Sequence, residues 1–252
     1  MVVKVVKKSY NYLGDIMQRY FCCELNNNKF TLSNDDSYHI MKVMRMNLGD
    51  LIEIVYNKET YLSKIISFNP VVCEIEEKLD ENNELDKKIY ICQSLVNEQK
   101  MDYILQKGTE LGAFSFIPFL ATNSVIKDNG KSDKKINRWQ KIVKEASEQS
   151  KRNIIPEVLD FHNINDLINI ECDLKIVCST REKVNNMKNI IQKYPKCDTI
   201  MVVIGPEGGF TEKEEEIFKN NGFILTSLGN RVLRTETASL MALSMFNYEW
   251  MV

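Results

Sequence analysis

Residues 204–214 join a glycine-rich turn to the start of an acidic helix. They read Ile-Gly-Pro-Glu-Gly-Gly-Phe-Thr-Glu-Lys-Glu and follow an apolar segment. Glycines let a ligand approach the backbone closely, and Thr211 with Glu214 has the spacing of a capping box, which begins a helix. The glutamates of the first helical turn disfavour a phosphate, and the Gly-Lys-Ser/Thr of a phosphate-binding loop is missing. The run therefore favours a neutral or cationic ligand; a turn without a ligand is the alternative.

Residues 227–239 place two arginines three positions apart, Arg231 and Arg234, after a second apolar segment. Thr235 or Thr237 is suited to cap the helix that follows. Guanidinium groups bind phosphates and backbone carbonyls through several N–H donors. The pair therefore suits anchoring of a phosphate or of backbone, and the alternative is that one arginine pairs with Glu207 or Glu236.

Two predicted helices each carry polar side chains on one face. These side chains are Lys100, Lys107 and Glu110 on the first helix and Glu145, Gln149 and Arg152 on the second. Such a face either lines a cleft or simply meets solvent, and the spacing alone does not decide between the two.

The two histidines, His39 and His162, lack carboxylate or cysteine neighbours at metal-ligand spacing, so no metal site is predicted. His39 shares a predicted helix with Lys42 and Arg45. It either contacts a polyanion there or is a structural histidine. The sequence also lacks a Gly-x-Ser-x-Gly elbow, a His-Glu-x-x-His motif and a Cys-His pair suited to nucleophilic catalysis.

Two regions with different patterns position these residues. Residues 19–78 contain short extended segments rich in β-branched and aromatic residues, which predict a small β-barrel-like module. One helix interrupts them, with Asp35 or Asp36 expected as its N-cap. Residues 80–86 are polar and charged and are predicted to form a linker.

From Lys88 onward the pattern changes to alternating strands and helices. Alternation of this kind predicts a mostly parallel sheet covered by helices, with ligands at the carboxyl ends of the strands. The predicted strands are Ile89–Leu95, Phe116–Leu120, Ile154–Leu159, Leu174–Cys178, Thr199–Ile204 and Phe223–Leu228. The predicted helices are Lys100–Leu111, Asn137–Lys151, Ile164–Ile168, Val184–Lys193, Glu212–Asn221 and Thr237–Trp250.

Composition describes an ordinary globular protein. The 252 residues are 44% hydrophobic and 27% charged, with a net charge of −2, and no apolar run approaches the length of a membrane span. Seven cysteines without Cys-x-x-Cys spacing indicate reduced thiols in a cytosolic protein. Residues 127–152 carry nine basic and four acidic side chains, which suits a polyanion or a solvated helix face. We expect residues 1–16 to be a leader without fixed structure.

Four runs together resemble the RsmE family. They are Gly205-Pro-Glu-Gly-Gly-Phe-Thr-x-x-Glu214, Leu228-Gly-x-Arg-Val-Leu-Arg-Thr-Glu-Thr-Ala238, Lys107-x-Thr-Glu-Leu-Gly112 and Glu145-Ala-x-Glu-Gln-Ser-x-Arg152. The N-terminal module adds Arg19-Tyr-Phe21, His39-Ile-x-x-Val-x-Arg45 and Gly49-Asp50. The resemblance therefore extends from about Met17 to the C-terminus.

The resemblance implies a methyltransferase of the SPOUT class, which transfers a methyl group from S-adenosylmethionine to N3 of one uridine in 16S ribosomal RNA and releases S-adenosylhomocysteine. It implies a PUA-like β-barrel that binds RNA at residues 17–80. A SPOUT α/β domain at residues 88–252 would follow, with a deep trefoil knot at its C-terminus, an exception to the rule that chains are unknotted. The implied partners are 16S ribosomal RNA or the small ribosomal subunit and a second copy bound through the knot domain, in the cytoplasm and without a membrane.

The resemblance also implies the site. The expected cofactor contacts are Ser179, Thr180, Ile204, Gly205, Pro206, Glu207, Gly208, Gly209, Leu228, Gly229, Asn230, Val232, Leu233, Thr235 and Ala238. We expect Arg234 to stabilise the deprotonated uracil or to orient a phosphate, with Glu207 or Glu236 as a helper acceptor. The expected RNA contacts are Arg19, His39, Arg45, Lys100, Lys107, Arg152 and Arg231.

Two other functions stay open at this point. One is a non-catalytic RNA-binding or ribosome assembly protein whose glycine-rich runs are structural. The other is a SPOUT methyltransferase that acts on a different RNA nucleotide, because the loops that bind a methyl donor do not encode the target base.

Overall fold

The computed structural model describes residues 17–124, 126 and 132–250, and the chain divides into two compact units between Glu81 and Asn82. The expected leader at residues 1–16 lies outside the described residues, and so do Lys127 and Lys131 of the basic stretch. Among the helices that the structure describes, none is both long and apolar enough to cross a membrane.

The first unit contains a six-stranded sheet in the order β1-β4-β5-β6-β3-β2. β1 pairs with β4 in parallel, and the other pairs are antiparallel. Alternating residues of these strands, such as Phe30, Ile52 and Ile54, are fully buried and form the core. The strands are β1 (Arg19–Phe21), β2 (Leu25–Asn26), β3 (Lys29–Thr31), β4 (Leu51–Tyr56), β5 (Glu59–Ser67) and β6 (Val72–Leu79).

One helix lies between β3 and β4. It consists of α1 (Asn34–Tyr38), which continues as a π-helical turn over His39–Val43. The expectation of Asp35 or Asp36 as its N-cap is wrong, because the Ser33 hydroxyl accepts a hydrogen bond from the Asp36 backbone N–H at 3.1 Å. The Asp36 carboxylate in turn accepts a hydrogen bond from that hydroxyl at 2.7 Å, so both side chains are used at the helix start.

The second unit is built on a parallel sheet in the order β10-β8-β7-β12-β11-β13, with β9 also paired to β8. Every pair in this sheet is parallel, which confirms the alternation read from the sequence. The strands are β7 (Lys88–Ser94), β8 (Ser115–Leu120), β9 (Glu157–Val158), β10 (His162–Asn163), β11 (Leu174–Cys178), β12 (Thr199–Ile204) and β13 (Ile224–Thr226). The helices are α2 (Glu98–Glu110), α3 (Ser132–Gln149), α4 (Ile164–Ile168), α5 (Met187–Lys193), α6 (Glu212–Asn220) and α7 (Thr235–Trp250).

Several elements are shorter than the sequence predicts, among them the strand expected at Phe223–Leu228, which covers only Ile224–Thr226, and in two others a local cause is visible. Only Glu157–Val158 of the strand expected at Ile154–Leu159 pairs with β8, because Pro156 has no N–H to give to a neighbouring strand. α5 begins at Met187 rather than at Val184, because the Glu182 carboxylate accepts hydrogen bonds from the backbone N–H groups of Val184 and Asn185 and holds them in a turn.

Helices cover both faces of the parallel sheet. On the central strand β12, Ile200, Val202 and Ile204 join the larger apolar cluster with residues of α2, α3, α5 and α7. The intervening Met201 and Val203 join a second cluster with Phe210 and with residues of α4 and α6. A strand buried on both faces reads as a continuous apolar run, which is what Ile-Met-Val-Val-Ile is.

Candidate cofactor cleft and its rim

A cavity of 740 Å³ opens at the carboxyl edge of the parallel sheet. Three segments line most of it, each of which follows the end of a strand: residues 178–183 after β11, 204–210 after β12 and 227–235 after β13. Because the strands are parallel, their carboxyl ends meet at one edge, and segments far apart in sequence form one wall. All fifteen residues expected as cofactor contacts line this cavity.

The turn at residues 205–210 is held by backbone hydrogen bonds and by one side chain. The Gly209 N–H donates to the Pro206 carbonyl at 2.9 Å, and Gly209 has φ +66°, a conformation that favours glycine. The Asn123 amide donates to the carbonyls of Gly208 and Gly209 at 3.3 and 3.0 Å. A Cβ added at Gly208 would lie 3.1 Å from the Asn123 Cβ, so this position has little room for a side chain.

The capping box predicted at the start of α6 is confirmed. The Thr211 hydroxyl accepts from the Glu214 N–H, and the Glu214 carboxylate accepts from the Thr211 N–H at 2.7 Å. Its other oxygen accepts from the Thr122 N–H at 2.8 Å. Burial by itself raises the pKa of Glu214, but the N–H groups of Thr122 and Thr211 outweigh it and the pKa is lowered.

A second carboxylate of α6, Glu215, ties that helix to the loop after β11. The Ser179 hydroxyl donates to Glu215 Oε1 at 2.6 Å, and Arg181 Nη1 lies 3.0 Å from the same oxygen. Arg181 Nη2 also donates to the Phe210 carbonyl at 2.7 Å. Arg181 was not among the predicted site residues; its place just after an apolar strand, beside Ser179 and Thr180, is the signal that could have found it.

Lys100 of α2 lies between two carboxylates at the rim of the cleft. Its Nζ is 3.0 Å from Glu207 Oε1 and 3.7 Å from Glu236 Oε2. The hydrogen bond to Glu207 raises the pKa of Lys100. Burial raises the pKa of Glu207, but the hydrogen bonds from Lys100 and from its own backbone N–H outweigh this, so that the pKa of Glu207 is lowered. Lys100 and Glu207 therefore remain an ion pair near neutral pH.

In contrast to Lys100, Arg231 and Arg234 are exposed cations of the cleft. Both residues are exposed and line the cleft. Within the described part of the chain, neither has an ion-pair partner, which answers the question of whether one of them pairs with Glu207 or Glu236. Gly229, two residues before Arg231, has φ +117°, a backbone conformation that L side chains rarely adopt. These two arginines are cations available to a polyanion.

Several residues that we expected to contact RNA have other roles. Arg19 and Arg152 are 2% and 4% exposed, and each pairs with a carboxylate: Arg19 with Glu53 and Arg152 with Glu84. Because their donors are buried and engaged, the expectation of RNA contacts at both is wrong. Lys107 pairs with Glu110 at 2.7 Å on the same helix, and Lys100 is paired as described above.

The other predicted residues divide in the same way. His39 Nδ1 shares a 2.9 Å hydrogen bond with the Tyr20 hydroxyl, while Arg45 is exposed. Glu236 does not line the cleft, in contrast to Glu207. The Glu236 carboxylate lies 3.7 Å from Lys100 Nζ and its side chain is 14% exposed, so the role of helper acceptor falls to Glu207, which lines the cleft.

The cleft contains one thiol, Cys178. Burial raises the pKa of Cys178 to about 12, so this thiol stays protonated and is a poor nucleophile. No three His, Cys, Asp or Glu side chains of the described residues are grouped so that they could hold a metal ion.

Comparisons with known proteins agree with this geometry. A family model described as RNA methyltransferase domain matches residues 83–247, and one described as RNA methyltransferase PUA domain matches residues 32–76. The chain is 41% identical to ribosomal RNA small subunit methyltransferase E of Bacillus subtilis, over 92% of this chain and 97% of that protein. It is 32% identical to the protein of the same name from Mesomycoplasma hyopneumoniae, over 90% and 98% of the two chains.

Solved structures agree as well. A ribosomal RNA small subunit methyltransferase E from Neisseria gonorrhoeae, bound to S-adenosyl methionine, superposes with a TM-score of 0.85 at 28% identity, over 93% of this chain and 98% of that one. A methyltransferase from Legionella pneumophila in complex with the same cofactor gives a TM-score of 0.84 at 28% identity, over the same shares. The chain therefore belongs to the ribosomal RNA small subunit methyltransferase E family, the RsmE family.

Proposed function

We propose that this protein transfers the methyl group of S-adenosylmethionine to N3 of a specific uridine in 16S ribosomal RNA. The observation that carries the proposal is the cleft at the carboxyl edge of the parallel sheet, which gathers all fifteen expected cofactor contacts from segments that are distant in sequence. The names of the relatives, and the cofactor bound to two of the similar structures, support the same chemistry.

The residues of the cleft fit S-adenosylmethionine. A volume of 740 Å³ is within the range of pockets for small molecules. The turns at residues 204–209 and 228–233 offer backbone N–H and carbonyl groups to adenine, ribose and the amino-acid tail. S-adenosylmethionine has no phosphate, so the carboxylates at the start of α6 do not oppose it. When bound, it supplies a methyl group on a cationic sulfur.

Arg234 and Glu207, at the rim of the cleft, are assigned different roles in the reaction. Arg234 is exposed beside the cleft and can stabilise the negative charge that develops on uracil as N3 loses its proton. Glu207 lines the cleft and can accept a hydrogen bond from the substrate, but its lowered pKa makes it a weak base. We therefore assign most of the acceleration to alignment of the reacting groups and to Arg234.

RNA binding is assigned to the exposed cations. Arg231 extends the rim of the cleft, and Lys42 and Arg45 are exposed at the end of the helix in the first unit. Exposed guanidinium and ammonium groups attract phosphates without competition from internal carboxylates. The partner we propose is 16S ribosomal RNA, free or in the small subunit, in agreement with the printed names of the relatives.

A homodimer is supported by the character of α7. Ala242, Leu243 and Phe246 of this helix are buried in the core. On its other side Leu240 and Met241 are half-buried and Tyr248 is 78% exposed. A helix that is apolar on both sides is typically buried on both sides, so we propose that a second copy of the chain covers this face.

The chain path is consistent with the knotted C-terminus. The segment that leaves the edge strand β13 lines the same cleft as the turn after the central strand β12, and α7 then packs against α2 near the middle of the sheet. The ribosomal substrate named for the relatives supports the cytoplasm as the place of action.

Calorimetric titration with S-adenosylmethionine, combined with the mass of the protein in solution, tests the proposal. We expect saturable binding to a dimer, and transfer of labelled methyl to N3 of a uridine when small subunits are added. Gly208→Val should abolish cofactor binding without unfolding the chain, while Gly208→Ala, which adds one methyl group near Asn123, should weaken it less.

The other outcomes separate the alternatives. A folded wild-type protein that binds RNA but not S-adenosylmethionine would support a non-catalytic role. Methylation of a different nucleotide would support another SPOUT specificity. Unchanged cofactor binding in Gly208→Val would contradict the assignment of the turn.

A further inference from the structure

A buried chain of hydrogen bonds runs from α7 to the turn that lines the cleft. Its centre is Gln93, near the end of β7, whose side chain is 0% exposed. The Ser239 hydroxyl donates to Gln93 Oε1 at 2.5 Å, and Gln93 Nε2 donates to the Thr235 hydroxyl at 3.0 Å. The Thr235 hydroxyl donates to the Gly205 carbonyl at 2.7 Å. The chain thus connects three elements that are distant in sequence.

The amide of Gln93 fixes which group donates and which accepts at each step of this chain of hydrogen bonds. An amide nitrogen only donates and an amide oxygen only accepts. Gln93 Nε2 also donates to the Ser94 carbonyl at 2.9 Å, and because a carbonyl cannot donate, this contact fixes which end of the amide faces Thr235. The Thr235 hydroxyl receives a proton from that nitrogen, so its own proton is left for Gly205.

The Gly205 carbonyl is a sensitive point of the turn. Pro206 has no N–H, so the carbonyl is the only polar group of the peptide that joins Gly205 to Pro206. The direction of this carbonyl fixes the plane of the peptide as the chain leaves β12 and enters the cleft. Gly205, Pro206 and Thr235 all line that cleft, whereas Gln93 and Ser239 lie behind it.

We propose that Gln93 is a positioning residue for cofactor binding, which acts through the Thr235 hydroxyl to hold the Gly205 peptide in the orientation that the cofactor needs. This inference rests on the proposed S-adenosylmethionine site. A merely structural role for the same network would stabilise the fold without regard to its direction. Reversing the direction of the hydrogen bonds therefore separates the two roles.

The substitution Gln93→Glu reverses the direction of these hydrogen bonds with almost no change in the shape of the side chain. An ionised carboxylate only accepts, so the Thr235 hydroxyl turns toward it and the Gly205 carbonyl loses its donor. At pH 8.5 we expect the dissociation constant for S-adenosylmethionine to rise about tenfold, the loss of one hydrogen bond. Burial raises the pKa of the introduced carboxyl. At pH 6 the protonated carboxyl has one O–H, which Thr235 and the Ser94 carbonyl share as acceptors, so we expect the loss to be smaller than at pH 8.5 but not abolished.

Two further sets of variants test whether Gln93 acts through Thr235 and whether a loss of affinity reflects only a loss of stability. Thr235→Val should weaken binding about tenfold at both pH values, and Thr235→Ser should restore most of the affinity. Gln93→Glu should add nothing to the effect of Thr235→Val, because both substitutions act through one hydrogen bond.

Gln140→Glu is the matched control for stability. The Gln140 amide donates to the Pro156 carbonyl at 2.9 Å and accepts from the Val158 N–H at 3.0 Å, away from the cleft. It should lower the thermal midpoint without altering cofactor affinity.

Calorimetry on the full-length protein at both pH values decides the matter. Wild-type binding together with unchanged binding in Gln93→Glu at pH 8.5 overturns the positioning role alone. A loss that is equal at both pH values, or matched by Gln140→Glu, also overturns it. Absence of wild-type binding refutes the proposed function itself and the positioning role with it. Where Gln93→Glu fails to fold, equal binding by Thr235→Val and Thr235→Ser overturns the proposal.

Discussion

Arg152 and Arg234 belong to the same α/β unit, and each lies in one of the four runs that resemble the RsmE family. Their surroundings are nevertheless opposite. Arg152 is 4% exposed, and its guanidinium donates to Glu84 and to the carbonyls of Thr109 and Ala113. Arg234 is exposed at the rim of the cleft and has no ion-pair partner within the described residues. A guanidinium whose donors are engaged has nothing left for a phosphate. Burial and donor use therefore separate a structural arginine from a functional one.

The largest expected effect is at the buried arginine. Arg152→Leu leaves the Glu84 carboxylate and two carbonyls without their donors, and we expect a loss of about 3–5 kcal/mol in the free energy of unfolding. Arg138→Leu is the matched control, since Arg138 makes a bidentate pair with Asp102 but its side chain is 40% exposed. That pair should contribute about 1 kcal/mol or less. Urea denaturation measures both, and equal losses would remove the distinction drawn from burial.

The rim arginine should show the reverse pattern. Arg234→Ala removes a cation that meets developing charge, so we expect kcat to fall about 100-fold, with the free energy of unfolding changed by less than about 0.5 kcal/mol. Arg231→Ala should act mainly through a higher KM for RNA. Methylation assays with small subunits separate the two constants. A large loss of stability in Arg234→Ala, or a loss confined to KM, would contradict the role assigned to Arg234.

The sequence predicted the location of the cleft better than it predicted which charged side chains are paired within the protein. Glycines after apolar strands predicted the turns at Gly205 and Gly229, because parallel strands bring such turns to one edge. The Thr211–Glu214 capping box was local and was predicted correctly. The partners of Arg19, Arg152 and Lys100 lie 34 to 136 positions away along the chain, so spacing could not reveal them. Gln93 gave no signal either, since a single Gln in an apolar strand does not announce a network.

The smallest effect concerns a buried carboxylate next to an exposed one on the same helix. Glu214 accepts hydrogen bonds from Thr122 and Thr211, and its pKa is lowered from 4.5. A lowered pKa means that the ionised form stabilises the fold above pH 4.5 and that this contribution is lost as the pH falls through the folded-state pKa. Glu214→Gln should therefore cost about 1 kcal/mol at pH 7.

The difference between this variant and wild type should shrink as the pH falls below 4.5, because protonation of Glu214 removes the charge that its hydrogen bonds stabilise. Glu212→Gln, on the exposed side of the same turn, should change stability by less than about 0.5 kcal/mol at pH 7 or at pH 3. Urea denaturation at pH 7, 5 and 3 gives the three differences. A cost for Glu214→Gln that persists unchanged at pH 3 would show that shape, rather than charge, holds the start of α6 to the loop at Thr122. The contrast between buried and exposed charges would then not extend to this carboxylate.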